Sequence, residues 1–169
     1  MATTSTTTRP GYRLALGATL LALLVVMLGA YTRLTHAGLG CPDWPGCYGF
    51  LGMPMSEHKQ ALAAARFPEA TLEVGKGWIE MIHRYFAAGL GLLVLILVVQ
   101  ALRGQRRGAG QPLGLPLALL ALVLLQGAFG MWTVTLKLWP QVVTAHLLGG
   151  FTTLGLLFLL SLRLSGRLA

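Results

Sequence analysis

Four long apolar runs set the pattern of this chain: roughly Leu14–Thr32, Trp78–Leu102, Leu113–Thr135 and Val142–Leu162. Each approaches the ~20 helical residues that the hydrocarbon core of a bilayer requires. No charged residue falls between Arg107 and Lys137, and none between Lys137 and Arg163. One such run could be the buried core helix of a soluble domain. Four in succession predict an all-α membrane protein, a single domain over residues 1–169 built as a four-transmembrane-helix bundle. The segment 35–77 breaks the pattern with prolines and glycines at its start and a polar, alanine-rich stretch later. Within it, Ser56-Glu-His-Lys-Gln-Ala-Leu-Ala-Ala-Ala-Arg66 predicts a short amphipathic helix beginning near Ser56, lying on the membrane surface or capping the bundle. The threonine-rich residues before Arg9 are expected to be disordered.

Composition and charge fit this picture. The chain is 55% hydrophobic and only 11% charged, an unusual balance for a soluble domain. Arg9 and Arg13 precede the first run. Arg103, Arg106 and Arg107 lie between the second and third, and Arg163 and Arg167 follow the fourth. In a four-span chain these positions share one side, and clustered arginine marks the cytoplasmic side. On the opposite side, Lys59, Arg66 and Lys76 are offset by Asp43, Glu57, Glu69 and Glu73. The expected topology is N-in and C-in, multi-pass in the cell inner (plasma) membrane, with the loop 35–77 external. The net charge of +8 then reflects topology and anionic membrane lipid rather than nucleic acid. A cleaved signal peptide is the rival reading of residues 1–30, but the apolar run is long and no clear A-x-A site follows it.

The candidate chemistry lies at the loop-side ends of the runs. His83, in Trp78-Ile-Glu-Met-Ile-His-Arg-Tyr, and His146, in Pro140-Gln-Val-Val-Thr-Ala-His-Leu-Leu-Gly-Gly, fall at nearly equal depth, roughly 7 Å past Trp78 and roughly 9 Å past Pro140. Ionisable side chains at membrane depth face the bundle interior and serve a function. Two opposed imidazoles suit the axial positions of a haem iron; a metal site or a proton path would use the same pair. Glu80 shares a helical face with His83 at i, i+3, where it could orient the imidazole, bind a polar group or move protons; equally, it could snorkel and pair with Arg84 or Lys76. Arg33 and Arg84 would anchor at headgroups or bind haem propionates. Gly89 and Gly91 after His83, and Gly149 and Gly150 after His146, either tighten helix packing or open room for a macrocycle. Cys41 and Cys47 are the only cysteines. They suit a disulfide in an oxidising compartment, as a structural staple or as a redox-active pair. His36 and His58 read as solvated loop residues.

The run Gly29-Ala-Tyr-Thr-Arg-Leu-Thr-His-Ala-Gly-Leu-Gly-Cys-Pro-Asp-Trp-Pro-Gly-Cys-Tyr-Gly closely resembles the first external motif of haem A synthases. Glu80-Met-Ile-His-Arg is similar to their second-helix motif. Leu125-Gln-Gly-Ala-Phe-Gly-Met-Trp-Thr-Val-Thr, followed by Val-Val-Thr-Ala-His-Leu-Leu-Gly-Gly, resembles their third and fourth helices. The resemblance runs in order from Gly29 to Gly150. It implies oxidation of the C8 methyl group of haem O to the formyl group of haem A, the cofactor of cytochrome oxidases, through two hydroxylations and loss of water. It places His83 and His146 on the iron of the substrate haem, with Glu80 as the catalytic glutamate and Cys41 and Cys47 as the external cysteine pair. It also implies a haem O synthase as supplier and an electron acceptor of unspecified identity.

Family members typically carry eight helices, with a second histidine pair holding a haem b. This sequence shows four helices and one pair. The expectation is therefore the N-terminal half of a longer protein, or a half-size member acting as a homodimer. Two alternatives use the same histidine geometry: a bis-histidine cytochrome b-type electron carrier, and a haem-binding oxidase-assembly protein without chemistry of its own.

Overall fold

A computed structural model describes residues 9–107 and 113–166; the threonine-rich leader before Arg9, and Arg167, lie outside them. All regular structure in the described residues is helical: α1 (Tyr12–Leu34), α2 (Glu57–Arg66), α3 (Val74–Arg106), α4 (Gly114–Thr135) and α5 (Pro140–Leu164). Four of these, α1, α3, α4 and α5, are long and apolar enough to cross a membrane. They correspond to the four apolar runs: α1, α3 and α5 extend theirs by two to four residues at each end, while α4 starts one residue later and ends at the same Thr135. The short α2 begins where the sequence predicts, with the Ser56 hydroxyl accepting from the Lys59 amide at 3.4 Å. At 33 residues, α3 is about 50 Å long, well beyond the ~30 Å of a bilayer core. Its surplus first turn becomes the platform for the segment 35–73.

The four long helices form a ring in which α1 packs on α3 and α5, and α4 packs on the same two. The pairs α1/α4 and α3/α5 therefore stand diagonally. Neighbours run antiparallel. At one end, here called the basal end, the Arg9 amide donates to the Leu164 carbonyl at 2.8 Å, and Gly11 lies beside Gln100 and Leu164. The start of α1 and the ends of α3 and α5 thus meet, opposite the segment 35–73.

The basal half is solidly packed. Ala15, Ala18 and Ala22 of α1 lie against Leu90, Val94 and Leu97 of α3, Leu119 of α4, and Leu157, Leu160 and Leu164 of α5. Small side chains on α1 let the helices approach closely, which matters because lipid supplies no hydrophobic drive for one helix to leave it for another. The outward faces carry exposed apolar residues such as Leu20, Leu124 and Leu148. Hydroxyls within the spans return to their own helix, Thr19 donating to the Ala15 carbonyl and Thr32 to that of Leu28, each at 2.8 Å. Such bonds hide a polar group where water cannot reach it.

The segment 35–73 folds as a cap with a core of its own. Cys41, Cys47, Tyr48, Met53 and Ala63 pack with Met81 of α3. Cys41 and Cys47 are joined by a disulfide with the Cα atoms 4.8 Å apart. Asp43 closes the turn between them, its carboxylate accepting from the Tyr48 and Gly49 amides at 2.6 and 2.8 Å. The Tyr48 hydroxyl donates to the Thr71 carbonyl at 2.9 Å. Burial first, and then the carboxylates of Glu73, Asp43 and Glu80, push its phenol above the ordinary range, so it stays a neutral donor there. At Gly40 the two backbones nearly touch: a Cβ there would stand 2.6 Å from the Lys76 backbone, so only glycine lets the cap rest on the first turn of α3.

Candidate functional site

His83 and His146 occupy the loop-side half of the ring, on the diagonal helices α3 and α5. Each imidazole rests on a glycine of a neighbouring helix. A Cβ at Gly29 of α1 would stand 3.0 Å from Cε1 of His83, and one at Gly130 of α4 would stand 3.6 Å from Cε1 of His146. One histidine therefore fills the α1/α3 seam and the other the α4/α5 seam, on opposite sides of the ring. The Nδ1 atoms of both rings are buried without a hydrogen-bond partner. The Val25 carbonyl of α1 faces the His83 ring, though not with hydrogen-bond geometry to Nδ1. Buried polar atoms are nearly always partnered, so two orphaned imidazoles at one depth mark a place where something else completes the site. Among the described residues no group of three or more His, Cys, Asp or Glu side chains gathers into a metal site. The donor set is a pair of neutral nitrogen ligands, which is what a haem iron takes in its two axial positions.

The glycines that the imidazoles rest on are not among the four that follow the histidines in sequence; of those four, Gly149 faces the Gln126 amide of α4. A Cβ at Gly89 would meet nothing within 4 Å, one at Gly91 would touch only Val123 at 3.5 Å, and one at Gly150 would lie 3.8 Å from Val26. An imidazole projects away from its own helix, so the space it needs is on the facing helix. Gly29 and Gly130 supply it. Both stand inside the motif runs, but nothing local distinguishes them from other helical glycines.

Glu80 lies one turn closer to the loop on α3 and is 4% exposed. Its Oε1 forms a short ion pair with Nη2 of Arg84, and its Oε2 accepts from the Cys41 amide at 2.9 Å. The pairing with Arg84 is one of the sequence alternatives; the snorkelling that went with it is not seen, because the carboxylate is buried under the cap. Nη1 of Arg84 donates to the carbonyls of Asp43 at 3.0 Å, Pro45 at 3.3 Å and Gly46 at 2.5 Å. The guanidinium thus fills the mouth of the disulfide turn. Both of its terminal nitrogens are engaged by the protein, whereas Arg33 is exposed in the last turn of α1. Lys76 pairs instead with Glu73 at 2.9 Å. His36 and His58 are both exposed, as expected of solvated residues.

Residues 12–168 match the family model COX15-CtaA, described as cytochrome oxidase assembly protein. The chain is 55% identical over 141 residues to the haem A synthase of Shewanella oneidensis, covering 83% of this chain and 42% of that protein. It is 31% identical over 130 residues to the haem A synthase of Geobacillus kaustophilus, covering 77% of this chain and 35% of the relative. For that of Rhizobium etli the identity is 35% over 142 residues, with 75% and 38% covered. The chain thus spans about two-fifths of the length of the curated relatives it matches.

Proposed function

This chain belongs to the COX15-CtaA family of cytochrome oxidase assembly proteins, and on that premise we propose that it is the haem O-binding half of a haem A synthase, a multi-pass membrane oxidoreductase. The observation that carries this reading is the pair of orphaned imidazoles of His83 and His146, set at one depth on diagonal helices and each cradled by a glycine. In the proposed site these two hold the iron of haem O, Arg33 meets a propionate, and the cap covers the loop-side edge. The protein lies N-in and C-in, with Arg9, Arg13, Arg103, Arg106 and Arg163 at the cytoplasmic, basal end.

Converting the C8 methyl group to a formyl group removes four electrons and four protons overall and adds the oxygen of one water equivalent. To Glu80 we assign the catalytic part in this oxidation. Its carboxylate is held between Arg84 and the Cys41 amide, a fixed negative charge one turn from His83 that would stabilise cationic charge at the reacting carbon or receive a proton. Preorganisation matters more than proximity here, since a tethered carboxylate needs no rearrangement as charge develops. A haem b held by a second histidine pair outside this chain, in a C-terminal half or a second copy, would supply the electron path to a separate acceptor.

The test is extraction of haem after co-expression with a haem O synthase, from this chain and from a longer version carrying a second histidine pair. Formyl haem identified by mass in the longer protein supports the reading. Unmodified haem b alone in both would make the chain an electron carrier or a haem-binding assembly protein instead.

A further inference from the structure

We infer that Gln126 of α4 reads the hydroxyl group on the alkyl side chain of haem O, and so selects a hydroxyalkylated haem over one lacking that oxygen. This rests on the proposed binding of haem O between His83 and His146.

Gln126 lies midway along α4, within an otherwise apolar run, and an uncharged amide at that depth is costly unless it is used. Its side chain crosses to α5, where a Cβ on Gly149 would stand only 1.7 Å from its Nε2. Gly149 therefore exists to admit the amide, and α4 and α5 form a second cradle on the seam that holds His146. Gln126 precedes Gly130 by four residues, and Gly149 follows His146 by three. The helices are antiparallel, so the amide sits one turn, about 5 Å, deeper than the His146 imidazole. The Thr153 hydroxyl, one turn beyond Gly149, donates to the Gly149 carbonyl at 2.8 Å.

The chemistry of haem O assigns a ligand to that depth. Two axial ligands at one level on diagonal helices set the macrocycle edge-on, along the helix axes. The charged propionates belong at the loop end, toward Arg33 and water, because carboxylates are costly in the bilayer. The C8 methyl group adjoins a propionate and stays at the same end, on the side of Glu80. The hydroxyalkyl substituent occupies the opposite edge of the ring, about one helical turn from the iron, which is the level of Gln126. An amide both donates and accepts, so it can meet that hydroxyl in either sense. A polar site left without its partner rejects the analogue that lacks it.

The experiment uses the four-helix chain in lipid nanodiscs, titrated with haem O and with the alkene formed from haem O by loss of water, which keeps the isoprenoid tail. The low-spin optical band reports binding. We expect the wild-type chain to bind haem O about five- to tenfold more tightly than the alkene, the ratio that one hydrogen bond supports. Gln126→Leu should bring the ratio close to one with the low-spin band intact. Gly149→Ala retains the glutamine but puts a methyl group where its amide lies, and should lower the ratio in the same way. Equal affinity for both haems in the wild-type chain, or an undiminished preference in both variants, would overturn the inference while leaving histidine ligation in place. Absence of a low-spin band with either haem in the wild-type chain would overturn the ligation reading and this one with it.

Discussion

The Cys41 amide donates to Oε2 of Glu80 at 2.9 Å, joining the disulfide turn of the cap to the carboxylate one turn from His83. The bond links two motifs 39 residues apart, and Arg84 completes the link by binding both the carboxylate and the carbonyls of the same turn. The cap and the part of α3 that carries His83 are therefore one mechanical unit. Conditions that disturb the turn should be felt at Glu80, and removal of Glu80 should be felt in the turn.

Histidine ligation is the most direct point to check. His83→Ala and His146→Ala should each abolish the low-spin haem spectrum, while His58→Ala, on the exposed face of α2, should leave it unchanged. An unaltered spectrum in both ligand variants would refute the assignment.

Glu80→Gln keeps the volume of the side chain and one acceptor oxygen but removes the charge. In a catalytically complete assembly, whether a dimer or a longer chain, we expect haem O to be retained and haem A formation to fall by ~10²–10⁴-fold, the usual weight of a general acid or base. Chromatography of extracted haems, normalised to haem content, reads the outcome. Normal haem A yield would reduce Glu80 to a fastening for the cap.

Arg84→Gln leaves Glu80 without its ion partner beneath the cap, where the two side chains are only 13% and 6% exposed. Breaking a buried pair from one side costs about 3–5 kcal/mol, and three backbone carbonyls lose their donor as well. Limited proteolysis should cut within residues 41–52 of the variant well before it cuts the wild-type chain. Equal resistance would show that the disulfide alone holds the turn.

The glycine cradle of His83 predicts an effect from a residue that is not itself a ligand. Gly29→Val would drive branched carbon into the imidazole, whose Cε1 already lies 3.0 Å from the ideal Cβ position. Overpacking of this kind costs about 1–3 kcal/mol. Haem affinity should fall by roughly tenfold or more, whereas Gly17→Ala, where a Cβ meets nothing within 4 Å, should leave it unchanged. Equal affinity in both variants would place His83 elsewhere than against α1.

Thiol labelling of the protein before reduction should find neither Cys41 nor Cys47 reactive, since the two form a disulfide and both are fully buried. Full labelling without reductant would contradict the bridge and, with it, the placement of the cap in an oxidising compartment.

The sequence by itself determined the four spans, the start of α2 and the residues worth watching. These depend on local facts: the length of an apolar run against the thickness of a bilayer, a serine before a helical pattern, ionisable groups where they are costly. Only the tertiary structure decided which of those residues meet. Whether Glu80 pairs with Arg84 or Lys76 depends on where the cap lies relative to α3, and local spacing allows both. The glycines beside the histidines along the chain, Gly89 and Gly91, were visible as candidates, yet the imidazoles rest on Gly29 and Gly130. Helices pack through side chains reaching outward, so the room a side chain needs is made by another helix. The identity of that neighbour is a property of the packed bundle, not of the spacing along one strand of sequence.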